Sequence, residues 1–212
     1  MRGAGAGAPG ARRTVPPTGT TAFRHNAPMS ASAPFRRLPD SLVCSFPPAA
    51  RPDARVLVLG TMPGVASLSA GRYYAHPRNV FWPIAAQALG FDAGLPYAAR
   101  LAALNAAGVA LWDVLAACER PGSLDADIVP ASAQPNDFVA FLAAHPRVAR
   151  ICFNGAKAHA LFRRHVLPGL ADVAGLEYVA LPSTSPAHAA MPPAAKLQAW
   201  RAALRFDQRI SP

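Results

Sequence analysis

Four short apolar runs alternate with stretches of helical periodicity, and this alternation constrains the fold of the chain more than any other feature. The apolar runs are residues 55–60, 109–114, 150–153 and 177–181. The stretches with helical periodicity are residues 81–89, 97–107, 135–145, 155–167 and 193–204, and residues 115–134, rich in Pro, Gly and Asp, are expected to form a loop. Short apolar runs are typical of buried strands, and parallel strands need long crossover connections, usually helices. We therefore predict an α/β fold, a three-layer α/β/α sandwich around a central four-stranded parallel sheet.

The first 39 residues differ in composition from the rest of the chain. They consist mostly of Gly, Ala, Pro, Ser, Thr and Arg, with six arginines and no acidic residue. Such a segment buries too little apolar surface to offset the cost of ordering it. We expect a disordered basic tail at residues 1–39 and a single domain at residues 40–212. Three roles for the tail stay open: a DNA-tethering arm, an organellar transit peptide, or an over-extended reading frame whose true start is Met29.

Charge and cysteine content narrow the class of protein. The formal net charge is +10, which fits a polyanionic partner, although the excess of arginine over lysine also reflects the composition of a GC-rich genome. The three cysteines form no CxxC pair and are odd in number, a pattern that favours reduced thiols. No run of about twenty apolar residues is present, so we expect no membrane span.

Unusual loops follow three of the predicted strands, after residues 60, 153 and 181. In parallel sheets ligands bind at the carboxyl ends of strands, so these loops are expected to build a site. The first loop, residues 61–80, shows no helical period and begins with the turn GTMPG. This turn matches neither a dinucleotide-binding nor a P-loop motif, and Pro63 lacks one of the amides that a phosphate cradle would use. A purely structural bend remains the alternative.

Residues 73–82 (YYAHPRNVFW) combine aromatic rings, a histidine, an arginine and an amide. Aromatic faces stack on extruded bases, and amide groups bind their polar edges. Phe81 and Trp82, at the start of a predicted helix, are expected in the core. His76 stays open between a structural and a catalytic role.

Four segments in order resemble the uracil-DNA glycosylase superfamily: GTMPG, YYAHPRNVFW, FNG at residues 153–155 and LPSTSPA at residues 181–187. Within it they are most similar to the mismatch-specific branch and to the hypoxanthine-DNA glycosylase family, over about residues 55–204. The resemblance implies a monofunctional glycosylase of base excision repair that hydrolyses the N-glycosidic bond of deaminated bases, chiefly hypoxanthine (deoxyinosine). It implies double-stranded DNA as the partner, with single-stranded DNA left open, and neither metal nor cofactor. A monomer in the bacterial cytoplasm, associated with the nucleoid, is expected.

The resemblance also implies roles for individual residues. The backbone of Gly60, Thr61 and Met62 would face the base, Tyr74 would stack on it, and Asn154 would read its edge. Asn79 is expected to be the principal catalytic side chain, with His76 as the second candidate. The residues expected to contact DNA are Arg78, Lys157, Ser183, Thr184, Ser185, Pro186 and His188.

Three departures from the family pattern qualify this expectation. Met62 stands where the relatives carry a water-activating asparagine or aspartate, and a thioether cannot orient water. Efficient excision of uracil is therefore not expected, and catalysis moves to Asn79. The loop at residues 181–187 lacks a large apolar wedge, and the four cysteines of the iron–sulfur relatives are missing.

Alternatives within and outside the enzyme class stay open. The Asn154 amide could pair with N1–H and O6 of hypoxanthine, but uracil offers the same pattern at N3–H and O4. A broader uracil and xanthine glycosylase is therefore one alternative, and a catalytically silent base-flipping module is another. A lyase would need a pocket lysine, but Lys157 and Lys196 both lie in helical patterns. The zinc signatures of base deaminases are absent from the sequence.

Overall fold

A computed structural model of the chain describes residues 41–170, 175–188 and 191–205. The expectations for residues 1–39, including the alternative start at Met29, lie outside these ranges. The strands are β1 (Leu42–Cys44), β2 (Val56–Gly60), β3 (Val109–Asp113), β4 (Leu115–Glu119), β5 (Gln134–Pro135), β6 (Arg150–Asn154) and β7 (Glu177–Leu181). The α-helices are α1 (Val65–Ala70), α2 (Phe81–Leu89), α3 (Tyr97–Ala106), α4 (Phe138–Ala144), α5 (Ala156–His165) and α6 (Pro193–Leu204). Three short 3-10 helices span Asp125–Asp127, Pro130–Ser132 and Leu167–Gly169.

The central sheet has four parallel strands in the order β3-β2-β6-β7, which confirms the predicted architecture. Strand β2 is buried along its whole length, as expected for a strand covered on both faces. Its residues alternate between two hydrophobic clusters. Leu57 and Leu59 pack in one cluster with residues of α4 and α5, and Val56 and Val58 pack in the other with residues of α2 and α6. Helices therefore cover both faces of the sheet.

Two helix predictions were wrong. Residues 65–70, expected in an irregular loop, form α1, which has only six residues and so lacks a detectable period. It ends at Gly71, whose left-handed φ of 60° favours glycine. Helix α4 begins at Phe138 rather than at residue 135, because Pro135 pairs in β5 and Asp137 caps the helix by accepting a hydrogen bond from the N–H of Ala140.

A second sheet was not predicted. Residues 115–119, expected in a loop, form β4, which pairs antiparallel with β1 and β5. Its sequence, LAACE, has no strong alternation, so its strand conformation depends on these partners. Among the described helices, none is long and apolar enough to cross a membrane.

Candidate active site

The carboxyl ends of β2, β6 and β7 meet, as predicted, and Thr184 connects their loops. Nδ2 of Asn154 donates to Oγ1 of Thr184 at 2.8 Å, and the N–H of Thr184 donates to Oδ1 of Asn154 at 2.8 Å. The carbonyl of Thr184 accepts from the N–H of Val80 at 3.1 Å. Val80 follows Asn79, so the segments YYAHPRNVFW and FNG both lie next to the loop after β7.

Gly155, which follows Asn154, is required by both its backbone conformation and its close packing. Its φ is 103°, a left-handed conformation that favours glycine. A Cβ at this position would lie 3.1 Å from Cβ of Ser183, so the absence of a side chain allows the loop after β7 to approach β6. The close approach brings Thr184 within reach of the Asn154 amide.

The turn at residues 60–63 is held by its carbonyl groups. The carbonyls of residues 60 and 61 accept from the N–H groups of Val114 and Leu115 at 2.9 and 3.2 Å. The carbonyls of residues 62 and 63 accept from the guanidinium of Arg120, which is only 1% exposed. An arginine has several donors in a planar fork, so one side chain can bind adjacent carbonyl groups.

Fixing the carbonyls also orients the N–H groups of the turn. In a trans peptide the N–H points away from the preceding carbonyl, so the N–H groups of Thr61 and Met62 point away from β3 and β4. Within the described part of the chain, neither N–H takes part in a hydrogen bond. The side chain of Met62 is 6% exposed and belongs to a hydrophobic cluster. The turn therefore offers main-chain donors, and not the Met62 side chain, to a ligand.

Tyr74 lies over this turn. Its ring stacks on Phe81, with centroids 4.1 Å apart, and its hydroxyl interacts with the side chain of Asn154. Its φ of 54° is unusual for a residue other than glycine. Burial raises the pKa of the Tyr74 hydroxyl well above its usual range, so the group stays neutral. One face of the ring is thus already covered by Phe81.

Asn79 and His76 hold the segment before α2 in a tight turn. Oδ1 of Asn79 accepts from the N–H of Phe81, the first residue of α2, at 2.9 Å, and so pairs one of the free N–H groups of the first turn. Nδ1 of His76 accepts from the N–H of Arg78 at 3.1 Å, and its carbonyl accepts from the N–H of Asn79 at 2.8 Å. Nδ2 of Asn79 has no hydrogen bond to any described residue and is available to a ligand.

Helix α6 holds the loop after β7. Nε1 of Trp200 donates to the carbonyl of Pro182 at 2.9 Å. Nζ of Lys196, a residue that is 5% exposed, donates to the carbonyl of His188 at 2.6 Å. The loop is therefore preorganised at both ends.

An apolar groove of about 590 Å³ runs between α2 and α6, beside the strand ends. Its lining includes Arg78, Ile84, Thr184, Ser185, Pro186 and Leu197. Four of the residues expected to contact DNA thus border this groove, whereas Tyr74 and Asn154 do not line it. Ser183 lies on the other side of the loop, against Gly155.

Asp125 lies near the remaining predicted DNA contacts, Lys157 and His188. Burial raises the pKa of the Asp125 carboxyl, while the positive charges of Arg120, Lys157 and His188 oppose the rise. Lys157 and His188 are both exposed. This acid and these two bases border the mouth of the site between the turn at residue 61 and the loop after β7.

Asp113 ends β3 beside Gly60 and is 3% exposed. A Cβ on Gly60 would lie 2.5 Å from Oδ1 of Asp113 and 3.6 Å from Oη of Tyr74, so these two groups border the space over the glycine. The pKa of Asp113 is raised from 3.8 to about 8, chiefly by burial and also by the charge of Asp125, while Arg120 and the Tyr73 hydroxyl oppose the rise.

Three side chains of the site, Asp113, Arg120 and Asp125, were not predicted from the sequence. Asp113 had a usable signal, because it is an acid at the carboxyl end of an apolar run next to the GTMPG strand. Arg120 and Asp125 lie in a stretch expected to be a loop, where no local pattern indicates burial. No three His, Cys, Asp or Glu side chains gather into a possible metal site within the described ranges.

Thr184→Val is expected to lower the free energy of unfolding by about 1–2 kcal/mol, because it leaves a buried amide proton of Asn154 without an acceptor. Urea denaturation measures the change. Thr184→Ser keeps the hydroxyl and is the matched control, with a loss smaller than that of the valine variant. Equal losses in the two variants would show that the Asn154 contact does not stabilise the loop.

Comparisons with known proteins agree on one family. The family model that matches residues 47–204 describes the uracil DNA glycosylase superfamily. A hypoxanthine DNA glycosylase of Methanosarcina acetivorans is 33% identical over 144 residues, 68% of this chain and 86% of the relative. A protein of the same name from Methanosarcina barkeri is 34% identical over 114 residues, 53% and 71% of the two chains. A solution NMR structure from M. acetivorans, described as a candidate uracil DNA glycosylase, superposes with a TM-score of 0.65 at 30% identity, covering 77% of this chain and 97% of that one.

Proposed function

This chain belongs to the uracil DNA glycosylase superfamily, and we propose that it is a monofunctional DNA glycosylase that removes deaminated bases, chiefly hypoxanthine, in base excision repair. The observation that carries the choice of base is the similarity to the M. acetivorans hypoxanthine DNA glycosylase over 86% of that relative's length. The convergence of three strand ends on one site supports a common binding place for a single extruded base.

The chemistry requires donors more than a strong nucleophile. Cleavage of an N-glycosidic bond leaves positive charge on the sugar and negative charge on the departing base. The N–H groups of Thr61 and Met62 would stabilise that negative charge, and Tyr74 would pack against the base. Nδ2 of Asn79 would donate a further hydrogen bond, with His76 beside it as the second candidate. A single preorganised donor contributes about 10²–10³ in rate.

The two lysines of the chain favour hydrolysis over lyase chemistry. Lys157 is exposed at the mouth of the site, and Lys196 is buried with its Nζ bonded to the carbonyl of His188. A Schiff-base nucleophile must reach C1′ of the sugar as a free amine. Lys157 is solvated and Lys196 is held by its bond to His188, so neither offers the desolvated free amine that activates such a nucleophile.

The proposed partner is double-stranded DNA, with single-stranded DNA as the alternative, bound by a monomer in the bacterial cytoplasm at the nucleoid. The net charge of +10 favours binding to DNA phosphates. Arg78, Ser185 and Pro186 along the groove, Ser183 and Thr184 in the adjoining loop, and Lys157 and His188 at the mouth are proposed to contact the DNA backbone.

Incubation with duplex oligonucleotides that carry one inosine, uracil or xanthine tests the function. Abasic products are then cleaved with alkali and resolved by electrophoresis. Strand breaks at inosine are expected, with less product at uracil and xanthine. Equal cleavage of all three would favour the broader glycosylase, breaks before alkali would reveal a lyase, and no product from any substrate would favour the silent base-flipping module.

A further inference from the structure

Asp113, Gly60 and Asn154 stand side by side at the carboxyl edge of the sheet. Gly60 pairs with Asp113, and Leu59 pairs with Phe153, so Gly60 and Asn154 are also neighbours. Residues at the same level of adjacent parallel strands point to the same face. Because Gly60 has no side chain, Oδ1 of Asp113 and the hydroxyl of Tyr74 lie over it, and Asn154 lies on its other side.

The two side chains that flank Gly60 differ in the hydrogen-bonding capacity they have left for a ligand. The Asn154 amide is already bonded to Thr184 through both its oxygen and its nitrogen. Asp113, in contrast, is 3% exposed; the Tyr73 hydroxyl interacts with its carboxyl group, but its Oδ2 makes no hydrogen bond of ordinary geometry to any described residue. Buried polar atoms in native proteins are nearly always paired, so an unpaired carboxyl oxygen at a site indicates a missing ligand.

We infer that Asp113 reads the edge of the extruded base as a neutral carboxyl group, and that Asn154 instead fastens the loop after β7. The inference rests on the proposed function. A neutral carboxyl offers one O–H donor and one carbonyl acceptor. Hypoxanthine offers the complementary pair, O6 and N1–H, whereas an ionised carboxylate would repel O6. Asp113, at the end of β3, thus takes the base-reading role that the sequence predicts for Asn154.

The surroundings of Asp113 keep its proton in place at neutral pH. Burial raises its pKa from 3.8 to about 8, and the negative charge of Asp125 acts in the same direction. Arg120 and the Tyr73 hydroxyl lower it, but burial prevails. Tyr74, the other titratable group that faces it, stays neutral because burial raises its own pKa. The carboxyl is therefore protonated at pH 7 and ionises as the pH rises through about 8.

Asp113→Asn tests the inference, because an amide has nearly the same shape and offers a donor and an acceptor at every pH. On an inosine duplex, wild-type kcat/KM is expected to fall about tenfold per pH unit above about pH 8. The variant is expected to stay within about tenfold of wild type at pH 7 and to show no such fall. Asp113→Val, which has no polar group, is expected to lose about 10²-fold or more at every pH.

Asp125→Asn is the matched control, because it removes a neighbouring negative charge without touching Asp113. The fall in wild-type activity is expected to move to lower pH in this variant, because the charge of Asp125 raises the pKa of Asp113. An alkaline fall that persists in Asp113→Asn would overturn the inference, and so would an Asp113→Asn variant as inactive at pH 7 as Asp113→Val. Absence of wild-type product from inosine, uracil and xanthine would instead refute the proposed function.

Thermal unfolding reports on the Asp113 proton without any substrate. The folded chain holds this proton up to about pH 8, whereas the unfolded chain releases it near 3.8. Stability from this group is therefore present below about pH 4 and is lost as the pH rises towards 8. We expect the difference in Tm between Asp113→Asn and wild type to shift in favour of the variant between about pH 4.5 and about pH 8. A constant Tm difference would show an ionised carboxyl and overturn the inference.

Discussion

Asn79→Ala is expected to excise hypoxanthine about 10²–10³ times more slowly than the wild-type protein, while DNA affinity stays within a few fold. The side chain has one fixed end and one free end. Its Oδ1 accepts from the N–H of Phe81, and its Nδ2 has no partner among the described residues. The bond to Phe81 therefore fixes the orientation of the side chain and leaves its amide N–H groups to a ligand, and alanine removes that donor.

The alanine variant also loses the hydrogen bond to the N–H of Phe81, which costs about 0.5–1.5 kcal/mol of stability. Asn79→Ser separates the two effects, because a serine hydroxyl can accept from the same main-chain N–H but does not supply a carboxamide. We expect Asn79→Ser to recover most of the stability and none of the activity. Single-turnover kinetics on an inosine duplex, fluorescence anisotropy and thermal unfolding measure the three quantities. A fully active alanine variant would remove Asn79 from the mechanism.

Arg120→Met is expected to lower the free energy of unfolding by about 3–5 kcal/mol. The Arg120 guanidinium is buried and donates to the carbonyls of Met62, Pro63 and Gly122. Methionine fills a similar volume but leaves these acceptors unpaired, and it removes the positive charge 3.9 Å from Asp125. Activity should fall even in conditions where the variant is folded, because the turn at residues 60–63 loses the contacts that orient its N–H groups.

Arg51→Met is the matched control for this prediction. Arg51 is exposed and pairs with Asp53 at the surface, so its loss is expected to cost less than about 1 kcal/mol. Arg120→Lys should fall between the two, because one ammonium group cannot reproduce the fork of the guanidinium. Urea denaturation followed by circular dichroism measures all three. A stability of Arg120→Met within about 1 kcal/mol of wild type would show that the turn is held by the sheet alone.

Most of the central sheet was predictable because its signals are local. The apolar run at residues 55–60 has no charged residue beyond its first position, and β2, which is buried along its whole length, requires that composition. Helix α6 begins and ends where its periodicity predicts. Helix α1 and strand β4 were missed, since six residues carry too little period and β4 is stabilised by its pairing with β1 and β5.

The sequence by itself therefore determined the order of strands and helices, the edge of the sheet where the site lies, and the family resemblance of its loops. Only the tertiary structure decided which polar groups are paired at that edge. Arg120 lies 58 residues from Met62, and Asn154 lies 30 residues from Thr184. Periodicity is a property of neighbouring residues, whereas burial and hydrogen-bond pairing depend on segments that are distant along the chain. The unpaired carboxyl of Asp113 and the occupied amide of Asn154 could be distinguished only in the folded molecule.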